Sequence, residues 1–452
     1  MCRKEDRHLD RDGMFRLGSI LSRQVGFTRW KGSQVRTLVL KLFTIAALTA
    51  ASSGVAFAQG PAAADPAEPQ QAPAAPAPSR QALIEQEQAD KETNSTPYVA
   101  NKGERLFQRL DAVIAGGSLK WHPFFDSAYS GGGFTLGVGR SNYVSAYNSI
   151  DVRGSYTVSG YKRAEVEFIA PRMFNRRGHL SVLAGWREAT QVGFYGIGTN
   201  SSKDDRTNYL FQQPYASAFL NVFPTRRVLN LRGGVQLTQW AQKPGEGTFP
   251  SVETKYTPET LPGLGAKVTY LHTLGTIGFD SRTSPDYARR GVFLGATIHD
   301  YHDNDNQFGF QMSEYEAIAH LPILRETWVL SLRGRVQSAF DKDGQQTPFF
   351  MLPSAGGGSS LRAFSSWRYR DKNSLLMQAE WRIMVSRYLD LAFFYDTAKV
   401  APRQSELDFK DLKDNFGIGV RFHSPFATPL RIDFSRGRES NLSFTFSSSA
   451  AF

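Results

Sequence analysis

The chain has 452 residues, 13% of them aromatic and 21% charged, with one cysteine and a formal net charge of +11. A lone thiol, Cys2, excludes a disulfide framework and a cysteine-held metal cluster. Ten Lys/Arg against four Asp/Glu fall in residues 1–41, leaving about +5 for the rest, a diffuse excess that suits anionic lipid headgroups and excludes a nucleic-acid interface.

Residues 1–58 read as a secretory signal peptide. Arg36 and Lys41 form its charged region, Leu42 to Phe57 an uncharged apolar run, and Ala56-Phe57-Ala58 the small-residue cleavage pattern. That run is shorter than the roughly 20 residues a membrane-spanning helix needs. Residues 1–34 are polar and unlike a signal's leader, which a mis-assigned start, with Val35 as the real beginning, explains.

Residues 59–102 are Ala/Pro-rich and unable to bury a core, so they predict an extended linker with a short solvated helix over Ala82 to Lys91. In 103–130, Leu106, Phe107, Leu110, Val113 and Ile114 recur at helical spacing and predict a short amphipathic helix.

Over 131–452 the apolar period drops to two, the signature of strands. Sixteen segments begin near Phe134, Ile150, Ala164, Leu180, Tyr209, Val228, Ala266, Arg290, Phe308, Thr327, Pro348, Leu375, Leu389, Phe416, Leu430 and Leu442. An even number of strands with 40 Gly, 33 Phe and a mean hydropathy of −0.36 fits an all-β, antiparallel transmembrane barrel, in which only alternate residues meet lipid. The amphipathic helix of 103–130 then either packs against the base of this barrel, plugs its mouth or lies on the inner leaflet. The register carries one conflict: if the first segment rises from the periplasm, the long 191–207 and 242–263 connections fall where short turns belong.

Polar positions Asp151, Arg153, Glu165, Glu167 and Arg187 predict a charged lumen. His299, His302, Asp303 and Asp305 crowd one turn, but their loose spacing beside Asn reads as a polar turn rather than a metal site. His320 with Glu314 and Glu316 suggests acid–base chemistry, yet no Gly-x-Ser-x-Gly elbow occurs and no serine is paired with His320 by spacing, so no enzyme and no cofactor are read. Gly356 to Gly358 lack the Lys-Ser/Thr of a phosphate cradle and read as a pliable loop.

The most informative stretch is Leu352 to Lys399. Leu375, Met377, Ala379 and Trp381 share a face opposite Leu376, Gln378, Glu380 and Arg382, and Leu389, Leu391, Phe393 and Tyr395 one opposite Asp390, Ala392, Phe394 and Asp396. A tight turn at Ser386 to Tyr388 makes these a hairpin, with Glu380 and Asp396 symmetric about 388 and so candidate cross-strand neighbours. Two adjacent carboxylates on a partly dry face call for a cation, and Arg362 from the preceding loop is a candidate, as are Arg370 and Arg382.

Leu361-Arg362-Ala363-Phe364 resembles the Val-Arg-Gly-Phe/Tyr signature of the bacterial surface antigen family of outer-membrane barrels, the BamA/TamA superfamily. Gly278-Phe279-Asp280-Ser281-Arg282 with Arg290-Gly291, and Phe194-Tyr195-Gly196-Ile197-Gly198, look like further parts of that pattern. The resemblance implies a sixth extracellular loop folded into the barrel, with Arg362 meeting Glu380 on strand twelve and Asp396 on strand thirteen. It implies insertion or translocation of proteins, or lipids, at the bacterial outer membrane, with outer-membrane lipids and lipopolysaccharide, nascent outer-membrane or secreted proteins and a separate periplasmic protein as partners. Ala363 stands where the family has glycine, which predicts strain if that position needs positive φ. The 59–130 segment has no room for the family's periplasmic polypeptide-binding modules, so a passive pore is the competing expectation. The alternation Leu442, Phe444, Phe446, with Phe452 in the same parity, resembles the C-terminal assembly signal of such barrels.

Overall fold

The computed structural model describes residues 84–90 and 120–452, apart from 226–227, 425–426, 439, 441 and 448. The signal peptide, most of the linker and the helix expected over Glu104 to Ala115 lie outside the described residues. Residues 84–90 form a short exposed helix.

Eighteen strands make up the rest: β1 Trp121–Pro123, β2 Thr135–Tyr143, β3 Ser149–Thr157, β4 Lys162–Arg172, β5 Gly178–Phe194, β6 Thr207–Val222, β7 Leu229–Pro244, β8 Lys267–Asp280, β9 Gly291–Asp303, β10 Phe310–Leu324, β11 Trp328–Asp341, β12 Ser354–Ala355, β13 Tyr369–Arg370, β14 Asn373–Ser386, β15 Leu389–Ala401, β16 Lys413–Phe422, β17 Leu430–Gly437 and β18 Ser443–Ser447. Sixteen of them pair in chain order as one antiparallel sheet, β1 to β11 followed by β14 to β18. The two-residue β12 and β13 pair only with each other, inside the long β11–β14 loop.

The fold is a transmembrane β-barrel, and its burial is inverted relative to a water-soluble protein. On β15, Phe393 and Tyr395 face outward while Asp390, Ala392, Phe394 and Asp396 are buried. A barrel closes every backbone hydrogen bond within the sheet, so lipid can meet bare apolar side chains outside while the lumen keeps the charges. An outer aromatic patch at Trp328, Trp381 and Phe393 supplies part of that belt, with ring centroids 5.5 and 5.9 Å apart.

The strand count matches the sequence expectation, but two identities do not. The segment at Pro348 is not a strand: Phe349–Met351 is a 3-10 turn whose rings pack into the lumenal core. Its run of consecutive apolar residues carries no period of two, and full burial rather than alternation explains it. The sheet instead begins at β1, ahead of Gly131, in a three-residue strand too short to show any period. The two differences offset in number and shift the parity of every strand between them. With β1 counted, the 195–206 and 245–266 connections move to the end opposite the short turns, which removes the conflict over long periplasmic loops.

The lumen is filled at the long-loop end by aromatic packing. Phe349 lies 5.1 Å from Phe194 and 5.0 Å from Tyr209, and Phe350 stacks on Trp240 at 5.7 Å. Lower in the barrel wall the predicted charges pair with one another. Arg153 reaches Glu165 at 2.9 Å, Glu167 at 2.7 Å and Asp151 at 3.2 Å, while Arg187 donates to Gln213 Oε1 at 2.5 Å.

Candidate functional site

The β11–β14 loop turns back into the lumen because its own apolar residues have a core to fill there. Leu361, Ala363, Phe364 and Tyr369 are buried with Ala355, Leu376, Ala398 and Val400. Gly356 and Gly357 adopt φ of +123° and +95°, and a Cβ on Gly356 would collide with Ser365 O, so the reversal needs glycine there. Ala363 is not among the residues with positive φ, so the strain expected for its replacement of glycine is not present.

This reversal delivers Arg362, 1% exposed, onto the inner faces of β14 and β15. Nε donates to Asp396 Oδ2 at 2.9 Å, Nη2 to Asp396 Oδ1 at 2.8 Å and Nη1 to Glu380 Oε2 at 2.8 Å. The bidentate fork on Asp396 fixes orientation as well as charge. The guanidinium also lies over the Phe394 ring at 3.6 Å, so one face of the cation is covered by an aromatic surface.

Glu380 and Asp396 are not direct cross-strand neighbours. Glu380 stands opposite Phe394 and Asp396 opposite Gln378, because a bulge between Met384 and Ser386 shifts the register beside the turn. Arg362 bridges this diagonal. Arg370, the alternative cation, turns away to Tyr209 Oη at 2.9 Å, and Arg382 points to Ala288 O.

Sequence reasoning missed the other half of the site. Arg421 on β16 reaches Glu380 at 2.8 Å and Asp433 at 2.5 Å, and Asp433 on β17 stands 3.5 Å from Arg362 and 3.3 Å from Arg431. Gln378 and Asn415 donate to Asp396 at 3.0 and 2.9 Å. Three arginines thus meet three carboxylates, which balances the charge of the buried site. The alternating polar positions of β16 and β17 carried the signal, since Arg421, Arg431 and Asp433 all fall on inward parity.

A model of the Omp85 superfamily domain matches residues 129–452. The chain belongs to the Omp85 superfamily. Among solved structures, BamA from Haemophilus ducreyi lacking POTRA domains 1–3 is similar at 16% identity and a TM-score of 0.54, over 70% of this chain and 67% of that one. CdiB from Acinetobacter baumannii and CdiB from Escherichia coli align at 12% and 11% identity with TM-scores of 0.43 and 0.45, over 69% and 72% of this chain and 55% and 60% of theirs. No curated protein sequence matches it.

The other candidate residues of this Omp85 barrel fall apart into separate features. Asp280 and Arg282 form a local pair at the foot of β8, 2.9 Å apart, while Arg290 is exposed and meets Glu326 at 3.5 Å. Gly291, at φ +110°, lets β9 start against the Arg282 backbone, where a Cβ would come to 2.7 Å. His299 bonds His272 at 3.0 Å, and Asp303 accepts the Gln307 and Phe308 N–H groups as a turn cap, so those residues do not converge. His320 does have a serine: Ser331 stands opposite it and its Oγ lies 2.8 Å from Nδ1, a pairing set by register and invisible to spacing.

Phe444 and Phe446 face outward on β18, 61% and 58% exposed. Phe452 does not share their face. The strand ends at Ser447, and Phe452 turns to the lumenal His320, ring centroids 6.3 Å apart. Parity counted past the last hydrogen-bonded residue carries no information.

Proposed function

We propose that this Omp85 barrel resides in the bacterial outer membrane and assists insertion or translocation of polypeptides there, through the seam between β1 and β18 and without chemistry of its own. The observation that carries this reading is the combination of a rigid wall and a weak one. Arg362 and its partners tie the loop to β14 through β17, whereas the two strands at the seam are the shortest of the sixteen, three and five residues long. Strand pairing stabilises in proportion to its length, so opening at that seam costs least. Short turns mark the periplasmic end, where both ends of the sheet also lie. Lipids, lipopolysaccharide, nascent outer-membrane or secreted chains and a periplasmic companion are the partners this role calls for. The filled lumen speaks against a passive pore.

Quantitative outer-membrane proteomics on cells lacking the protein tests this. Loss of a defined set of barrels or secreted proteins, restored by the natural chain and not by Arg362→Ala, supports the role. An unchanged proteome with altered uptake of small solutes refutes it and favours the pore.

A further inference from the structure

The outward parity of β4 reads Lys162, Ala164, Val166, Phe168, Ala170, Arg172, an apolar run closed by a cation at each end. From Lys162 to Arg172 the strand covers about 33 Å, which at a barrel's usual tilt matches the roughly 25 Å height of an outer-membrane apolar band. The two cations therefore stand at the two headgroup levels. Lys162, at the long-loop end, has its carboxylate, Glu188 at 2.8 Å. Arg172, at the short-turn end, has no carboxylate partner and no side-chain hydrogen bond among the described residues. Its guanidinium instead rests 3.7 Å from the ring centre of Tyr147, which comes from the β2–β3 turn and is 50% exposed. A cation held against an aromatic face at headgroup level keeps its N–H donors for an acceptor from outside the chain.

The turn that follows displays more charge of the same sign. Met173 to Arg177 joins β4 to β5, and Phe174, Asn175 and Arg176 take φ of +50°, +57° and +68° in succession. Asparagine tolerates this region, whereas phenylalanine and arginine enter it under strain, which points to a role beyond reversing the chain. The Phe174 ring, 57% exposed, lies over Gly178, where an added Cβ would collide with it. Arg176 and Arg177 are exposed and, like Arg172, meet no carboxylate among the described residues. The sequence has no Asp or Glu from 168 to 187, so these arginines share one corner of the rim without an anion. The arginines of other short turns differ, since Arg282 has Asp280 at 2.9 Å and Arg290 has Glu326 at 3.5 Å.

We propose that the β4–β5 turn, together with Tyr147, is a binding site for the headgroup of an anionic phospholipid of the phosphatidylglycerol class. The phosphodiester accepts from Arg172 and Arg176, while the rings of Phe174 and Tyr147 enter the membrane interface beside it. The site continues a lipid-facing apolar strand, so its ligand is anionic at one end and apolar beyond it, which a soluble acidic protein is not. The assignment rests on the membrane setting proposed above and not on the polypeptide role. The experiment uses purified barrel, so its failure would leave the proteomic test of that role untouched.

The full barrel is refolded in detergent and offered phosphatidylglycerol and phosphatidylethanolamine of identical acyl chains, with bound lipid counted by native mass spectrometry. Phosphatidylglycerol is expected to bind at about ten-fold lower concentration, as one charge-assisted contact implies. The double variant Arg172→Gln with Arg176→Gln is expected to lose this preference, while Lys203→Gln, exposed on the β5–β6 loop, keeps it. Equal binding of the two lipids by the natural chain, or a preference that survives in the double variant, overturns the proposal. If the double variant does not fold, protection of the natural chain from phenylglyoxal, mapped by peptide, decides instead. Shielding of Arg172 and Arg176 by phosphatidylglycerol, and not by phosphatidylethanolamine or by free glycerol phosphate, supports the site. No shielding, or equal shielding by free glycerol phosphate, refutes a lipid site.

Discussion

Arg362 and Arg421 share one carboxylate oxygen: each places a guanidinium nitrogen 2.8 Å from Glu380 Oε2, one from the loop and one from β16. Glu380 is thereby the hinge pin between loop and wall. Glu380→Gln leaves two buried cations facing an amide, and we expect it to lower stability by about 3–5 kcal/mol. Combining it with Arg362→Gln is expected to cost less than the sum of the two, because the second change removes one of the stranded charges. Urea titration followed by the mobility shift of the folded barrel on gels measures both; additive effects would falsify the shared-carboxylate account.

Asp433 is the carboxylate that no motif pointed to, yet it is fully buried and lies within 3.5 Å of three arginines. Asp433→Asn is expected to destabilise the barrel by about 3 kcal/mol, comparably to Arg362→Ala. A much smaller shift in the same titration would mean that the loop alone, and not the β16–β17 wall, holds the latch. The loop arginine and its two acids were legible because a compact sequence signature carried them. Arg421, Arg431 and Asp433 were not, since each is one polar residue in an ordinary alternating strand and becomes a site only when register stacks the strands.

Sidedness follows from one three-residue strand. Trp121–Pro123 pairs with Val138 to Arg140 and sets the direction of everything after it. Alternation revealed the other strands because each is long enough to repeat, whereas β1 offers no repeat and Phe349–Met351 imitates a strand by being wholly apolar. In a background with Cys2 replaced, Ser202→Cys and Glu259→Cys are expected to react with a membrane-impermeant maleimide on intact cells. Arg325→Cys is expected to react only after the outer membrane is permeabilised. The reverse pattern would invert the barrel.

Gly291 gives a sharper local prediction. Its φ of +110° and the 2.7 Å separation that an added Cβ would have from Arg282 Cα leave no room for alanine. Gly291→Ala is expected to cost about 2 kcal/mol, the range for a side chain forced into left-handed backbone. Arg290→Ala, one residue away on an exposed side chain with a single 3.5 Å partner, is expected to cost less than about 1 kcal/mol. Equal losses at the two positions would mean that the charge, not the backbone, is what this pair contributes.

The short-turn end of the lumen is crossed by Tyr287. It comes from the β8–β9 connection, donates its hydroxyl to Asp390 Oδ2 at 2.8 Å and stacks on His423 at 4.0 Å, while Thr428 Oγ1 donates to Asp286 O at 3.0 Å. Two turns that are far apart around the sheet are thus fastened to each other across the opening. Tyr287→Phe keeps the ring on His423 and loses the hydroxyl, so we expect a loss of about 1–2 kcal/mol and little change in conductance across a planar bilayer. Tyr287→Ala removes the fastening altogether, and larger or noisier conductance is expected with a loss of about 3–5 kcal/mol. If conductance stays at the level of the natural chain in Tyr287→Ala, the seal lies higher, in the packing of Phe349 and Phe350 against the wall, and the crossing serves stability alone.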